Sequence, residues 1–352
     1  MTSSNVLKIT LSDIFLSAEF PISEVGIFVG CGASKEAGYP LTWELTKAVL
    51  EKLTVEEIAL IEEILKKENL TISIADGFPD IEMINDFIMK IRVQTDEQKY
   101  KELEARIISL INNHFENIKN HNLSLHRKFL LAIKNRSQSM TSDFWIFTTN
   151  YDLLFEEAAA LEKIPLENTF TGTTLRYLNV DSFLHQTGEV TNGKVFVSRK
   201  EVTIRLIKLH GSLSWHQHEG HFYEGQPAYG DKVLILPASN KVIDTLQSPY
   251  DSLFTLSSHI LGEKCKYLLC FGHSFRDSQI TKTLLLPKLK AGKLKIIALL
   301  KDVTPEVEEL AAHTSFSYIS EKKSKIAGKN YDCSTDLWKF SSLVKFIQEN
   351  QL

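Results

Sequence analysis

Short apolar runs of strand type recur along this 352-residue chain, and four of them end abruptly in a glycine-rich or polar cluster. The clusters are Gly30-Cys31-Gly32-Ala33-Ser34-Lys35-Glu36-Ala37-Gly38-Tyr39-Pro40, Thr148-Thr149-Asn150-Tyr151-Asp152, Lys208-Leu209-His210-Gly211-Ser212 and Gly272-His273-Ser274-Phe275-Arg276-Asp277. Strands that alternate with helical stretches imply an α/β fold with a doubly wound, mostly parallel sheet. In such a sheet the carboxyl ends of the strands open into one crevice, so segments far apart in sequence converge on one ligand. A single site assembled from all four clusters is therefore expected.

The expected strands are Val25–Val29, 143–148, 204–209, 233–236, 267–271 and 295–300. Thr42 reads as the N-cap of a helix running to about Leu53, and helices are expected over 153–161, 249–263 and 276–290. Between Val55 and Lys134 strand signals vanish and apolar residues recur three or four apart, as in Ile81, Ile84, Ile88 and Ile91. This stretch reads as a helical insertion. Residues 162–232 read as loops and hairpins, with Asn192-Gly193 as a two-residue turn. The lysine-rich 321–329 segment reads as a solvated loop, and 336–351 as a closing amphipathic helix.

Forty basic and 44 acidic residues give a net charge of −4, which argues against direct nucleic-acid binding. The four cysteines, Cys31, Cys265, Cys270 and Cys333, show no C-x-x-C spacing, so neither a thiolate zinc site nor a disulfide framework is indicated. No signal-like leader and no apolar run of ~18 residues is present, so a soluble cytoplasmic protein without a membrane span is expected.

Each cluster offers particular chemistry. Gly30, Gly32, Ala33 and Ser34 form a strand-to-helix loop whose backbone N–H groups suit a diphosphate. Lys35 stands where a dinucleotide fingerprint needs its third glycine, and no Gly-Lys-Ser/Thr follows for a nucleotide P-loop. Asn150 and Asp152 flank Tyr151, and strand alternation places both on one side, for a water or ribose hydroxyl, or else as helix caps. His210 closes an apolar strand, so its imidazole is expected at the rim, suited to general-base work. His216, His218 and His221 lack accompanying thiolates or carboxylates and read as an exposed hairpin rather than a metal site. Gly272, Ser274 and Asp277 suit phosphate or ribose oxygens, whereas a hydrolase nucleophile elbow would need glycine where Arg276 stands.

Taken in order, the four clusters resemble the sirtuin family, and more closely its bacterial sirtuin-like branch that hydrolyses NAD in antiphage defence. The resemblance spans about 25–300, with Thr148–Asp152 and Lys208–Ser212 its most specific parts. It implies a sirtuin-like, NAD-binding Rossmann domain from 1–54 and 135–352 with a helical insertion at 55–134. By that likeness Gly30, Gly32, Ala33 and Ser34 bind the NAD diphosphate and Pro40 begins a loop over nicotinamide. Thr149 belongs to the NAD contacts. Asn150 holds the attacking water, Asp152 holds ribose or neighbouring loop groups, and His210 is the general base. Gly272 and Ser274 cradle the adenosine side with Asp277 among the NAD contacts, and Asp302 is a further candidate for its ribose.

The departures point away from protein deacylation. The family's four-cysteine zinc module has no counterpart after Lys208–Ser212, and its Gly-Ile-Pro-Asp-Phe-Arg loop reads Gly38-Tyr39-Pro40-Leu41-Thr42-Trp43. The segment gripping an acyl-lysine peptide has no clear match, and Leu234-Ile235-Leu236-Pro237-Ala238 is similar to the defence branch. The expectation is an NAD hydrolase using NAD as substrate and no zinc, releasing nicotinamide and ADP-ribose. Oligomerisation is expected, with a separately encoded partner such as a HerA-type ATPase or an Argonaute-type protein. The rival readings are an NAD-dependent deacylase or ADP-ribosyltransferase on the same pocket, and a non-catalytic NAD or ADP-ribose sensor.

Overall fold

The structure, a computed structural model, describes residues 22–136, 142–186, 188–193, 195–198, 201–225, 230–234, 249–332 and 334–349. Ile235–Ala238, half of the strand expected at 233–236, and Cys333 lie outside the described residues.

Nine strands build the main sheet: β1 (Val25–Val29), β2 (Ser142–Thr148), β3 (Leu166–Glu167), β8 (Val202–Lys208), β12 (Tyr267–Phe271), β13 (Lys295–Leu300), β14 (Phe316–Ser320), β15 (Lys323–Ile326) and β16 (Lys329–Asp332). Their order is β16-β15-β14-β13-β12-β1-β2-β8-β3, parallel from β14 through β3. The last hairpin is antiparallel, so the lysine-rich segment is not a loop. Lys323 and Lys325 alternate with Ser324 and Ile326 in β15, which pairs on both sides, and the edge strand β16 opens on Lys329.

The central strands are buried on both faces because their alternate residues feed two different cores. Ile27, Val29, Phe144, Ile146, Ile204, Leu206, Leu269, Phe271, Ile297 and Leu299 point into one, packed against helices Ser124–Arg136, Leu154–Leu161 and Phe340–Glu349. Phe28, Trp145, Phe147, Ile207, Leu268, Cys270, Ile296 and Ala298 point into the other. That second core is closed by helices Tyr250–Ile260, Leu286–Lys290 and Pro305–Leu310 and by the π-helical segment Gln279–Leu285. Near-continuous apolar strands are what a sheet sandwiched between helices requires.

The 162–232 region folds as hairpins. A five-stranded sheet of order β11-β9-β10-β5-β4 contains β4 (Phe170–Gly172), β5 (Leu175–Leu178), β9 (Gly211–His218), β10 (His221–Gly225) and β11 (Asp231–Leu234). The strands β6 (Gly188–Thr191) and β7 (Val195–Ser198) pair beside it, with Asn192 and Gly193 both at positive φ in the turn. The histidine hairpin is only partly exposed, because His216 is 1% exposed. Trp215 and His216 point to opposite faces of β9 and both are buried, so both faces are covered there, while His218 lies at the tip next to Glu219.

The helical stretch divides in its packing. Helices Val55–Lys67, Ile81–Thr95 and Gln98–Glu116 join Thr42–Leu50 in a third core through Leu45, Val49, Ile61, Ile64, Ile84, Ile88, Ile107 and Ile111. Ser124–Arg136 packs instead on the main sheet. Capping marks the starts: Thr54 and Glu57 satisfy each other's backbone N–H groups, and Asp80 accepts from Met83 N. Thr42 is the first residue of its helix rather than the cap, and it is Leu41 N–H that Glu44 accepts. Tyr39, Tyr151 and Leu154 complete this third core, which ties the insertion directly to two of the four clusters.

Candidate active site

The chain leaves β1, builds outward through β2 and β8, then returns to place β12 on the other side of β1. Strand order thus reverses at β1, and the crevice at such a switch point is the place an open α/β sheet offers a ligand. Backbone hydrogen bonds carry the sheet's register past the strand ends: Gly30 N–H donates to Phe271 O at 2.9 Å and Leu209 N–H to Thr148 O at 2.8 Å. Leu213 N–H donates to Tyr151 O at 3.0 Å. All four clusters meet there.

Glycine is required where the first and fourth clusters touch. A Cβ on Gly30 would stand 2.4 Å from Gly272 O, and one on Gly272, whose φ is +64°, 2.7 Å from the Cα of Gly32. The loop's N–H groups are largely engaged within the protein, Gly32 with Gly272 O at 3.3 Å, Ala33 with Gly30 O and Ser34 with Cys31 O, both at 3.1 Å. The glycines here let two loops close on each other.

Ser34 links the first cluster to the second. Its hydroxyl donates to Asp152 Oδ2 at 2.7 Å and accepts from Asn150 Nδ2 at 2.9 Å. Asn150 Nδ2 also donates to Gly30 O at 3.1 Å, so the amide is held from two sides and its carbonyl oxygen is the atom left for a ligand. Asp152 Oδ1 accepts from Leu154 N–H, the first of the following helix, at 3.2 Å, so this carboxylate meets the helix start as well as holding Ser34. Lys208, 3% exposed, fixes the loop from below, donating to the carbonyl of Asp152 and to Ser212 Oγ and pairing with Glu156 at 2.8 Å. Burial raises the Glu156 carboxyl above the usual range, against the pull of Lys208.

His210 is buried, 4% exposed, rather than at an open rim, because the 272–277 loop folds over it. Its Nε2 lies 3.1 Å from Asp277 Oδ2. His273 is buried beside it, its ring between Phe28 and Phe275 at centroid distances of 4.8 and 5.0 Å. Burial pulls the His273 imidazole down to about 4, with Asp277 opposing.

A cavity of about 350 Å³ occupies the crevice, within the range of small-ligand sites. Gly30, Ser34, Pro40, Thr149, Asn150, Asp152, His210, Gly272, Ser274 and Asp277 all line it. Gly32 and Ala33 do not; Ala33 is fully buried behind the loop, and Gly32 packs on Gly272. Asp302 does not line it either. His210 Nδ1 and Asp277 Oδ2 are both buried without a hydrogen-bond partner among the described residues. Among the described residues no group of three or more His, Cys, Asp or Glu side chains is arranged to hold a metal ion.

Half of the wall was not apparent from the sequence. Tyr39, Trp43, Phe115 and Tyr151 supply aromatic surface, and the insertion adds Asp76, Gly77, Phe78, Asp80 and Glu82. Asp76-Gly77 followed by Pro79 is a turn signal inside a helical stretch, the one local cue to this loop. Gly77 seats this loop: at φ +60° a Cβ would stand 2.2 Å from Trp43 O. Five carboxylates, Asp76, Asp80, Glu82, Asp152 and Asp277, line the cavity with Arg276 as their counterweight. Burial and the nearby Asp152 raise the Tyr39 phenol, so that ring stays neutral.

Residues 145–318 match the SIR2-like domain, a span that starts within β2 and takes in the Asn150, His210 and Gly272 clusters. The match supports sirtuin-like family membership. The large, mainly parallel sheet with helices on both faces is consistent with a Rossmann-like SIR2 fold, and a SIR2-like domain points to NAD-related activity in general. No curated protein matches the chain. Among the described residues no helix is long and apolar enough to cross a membrane.

Proposed function

We propose that this protein hydrolyses NAD at the bond between nicotinamide and ribose. The observation that carries the reading is the convergence of Asn150 and His210, from the ends of adjacent parallel strands, on one cavity wall inside the SIR2-like span. The Asn150 carbonyl and the His210 imidazole both belong to that wall, where together they can orient a water molecule. Breaking the glycosidic bond builds positive charge on the ribose, and a cavity wall rich in carboxylates stabilises that charge. Positioning and electrostatics supply most of what this reaction needs.

Water is the acceptor in this reading because the sequence lacks the cysteine module and the acidic loop position that accompany peptide deacylation. A role in antiphage defence by NAD depletion, with oligomerisation and a HerA-type or Argonaute-type partner, extends the proposal on the strength of the sequence resemblance. The test is to incubate the purified full chain with NAD, with and without an acetylated peptide, and to chromatograph the products. Nicotinamide and ADP-ribose in both samples are expected. O-acetyl-ADP-ribose as the main product, or turnover only with peptide, would replace hydrolysis by deacylation.

A further inference from the structure

We infer that Arg276 holds the diphosphate of the nucleotide, a part that the sequence resemblance gives to the glycine loop, and this assignment rests on the NAD reading for the identity of the ligand. Among the described residues Arg276 is the one lysine or arginine that lines the cavity. Asp76, Asp80, Glu82, Asp152 and Asp277 line it too, so a ligand with two phosphates is repelled by the carboxylates and attracted here.

The glycine loop has little to offer an anion. Gly30 N–H donates to Phe271 O, Gly32 N–H to Gly272 O, Ala33 N–H to Gly30 O and Ser34 N–H to Cys31 O. A backbone N–H has one proton to donate, and in these four it is already committed. Gly32 and Ala33 do not reach the cavity. Gly272 also closes on Gly32, a Cβ on either standing 2.7 Å from the other's Cα, so no phosphate enters between the two loops.

Arg276 is placed differently. Every other arginine among the described residues is engaged within the protein, as Arg176 is with Glu224 and Arg205 with Asp143. The Arg276 guanidinium has no ion pair or hydrogen bond among the described residues, although Asp277 follows it and Glu306 and Glu309 share a smaller pocket with it. Its planar fork of donors is uncommitted, and adjacent phosphate oxygens match that fork in pairs.

The backbone beneath the exposed side chain is fixed. Phe275 holds φ +61° although it is bulky, and it is fully buried, its ring 5.0 Å from that of His273. Thr281 donates its hydroxyl to Phe275 O at 2.8 Å, Phe275 N–H donates to His273 Nδ1 at 3.1 Å, and Thr304 donates to Ser274 O at 3.1 Å. Left-handed non-glycine residues persist where their surroundings over-determine them, and such strain clusters at ligand sites. The strained turn therefore presents a mobile cation from a rigid base at the cavity.

The test titrates ADP-ribose calorimetrically into the full chain at low and high salt, for the wild type, Arg276→Gln and Arg276→Lys, beside NAD turnover and a melting curve. Arg276 is exposed, so both variants should melt as the wild type does. Arg276→Gln should bind ADP-ribose about 10–100-fold more weakly at low salt, the loss of charged hydrogen bonds, and the deficit should shrink at high salt. Arg276→Lys should recover only part, because the ammonium lacks the fork. For NAD, KM should rise while kcat changes little. Wild-type ADP-ribose affinity in Arg276→Gln, or a deficit that ignores salt, would overturn the assignment. A wild type that binds ADP-ribose yet releases no nicotinamide from NAD would refute the hydrolase reading alone, and one that does not bind ADP-ribose would overturn both.

Discussion

Acidification should destabilise this protein through His126. It is 1% exposed, and its ring packs against Phe155 and Phe340 at centroid distances of 4.9 Å each. Neither ring nitrogen has a hydrogen-bond partner among the described residues. Burial pulls its pKa from 6.5 down to about 4, with Asp152 opposing. The folded state therefore keeps the ring neutral where the unfolded chain already binds a proton. The stabilisation is complete above pH 6.5 and is lost progressively as pH falls toward about 4. At pH 5 the unfolded chain has gained about 1.5 units of protonation advantage, which at 1.36 kcal/mol per unit costs about 2 kcal/mol. Urea unfolding at pH 7.5 and pH 5 in the wild type and in His126→Leu isolates this contribution, because leucine removes the titration and keeps an apolar side chain. The fall in unfolding free energy between the two pH values should be smaller in the variant by about 2 kcal/mol. Equal falls in the two proteins would show that His126 finds a way to charge in the folded state, and the reasoning from its burial would fail.

Three further outcomes follow from the site. Lys208→Met should cost ~3 kcal/mol or more in thermal or urea unfolding, because it strands the Glu156 carboxylate and frees the Asp152 carbonyl, as a buried pair does on losing one partner. Gly272→Ala should cost ~1–3 kcal/mol from the left-handed backbone alone, with a further loss from its clash on Gly32, and should weaken NAD retention in equilibrium dialysis; an unperturbed melt would show that the two loops can part. Asn150→Ala and His210→Ala should each lower NAD turnover by about 10²–10⁴-fold, and the double variant should fall little below the worse single one; additive losses would mean that the two residues serve separate steps.

Much of the architecture was legible because its signals are local. Val25–Val29 is apolar throughout and ends in glycine, and Asp143–Thr148 and Lys295–Leu300 are likewise too apolar for a one-sided sheet, so strands buried on both faces followed. The polar residues just beyond the strand ends pointed to one crevice for the same reason, since a parallel sheet gathers the carboxyl ends of its strands on one edge. The 321–329 segment misled because lysine content outweighs a period-two pattern only four residues long.

The sequence by itself determined that the sheet is doubly wound and that Asn150, Asp152 and His210 stand at strand ends, because periodicity and chain direction decide both. Only the tertiary structure decided that Ser34 joins Asn150 to Asp152, that Gly30 and Gly272 are glycines because their loops collide, and that His210 is buried opposite Asp277. It alone brought the Asp76–Glu82 loop from the helical insertion onto the cavity. Those contacts join residues more than 30 positions apart. Their distances are set by how whole layers pack, and no local pattern in the chain encodes that.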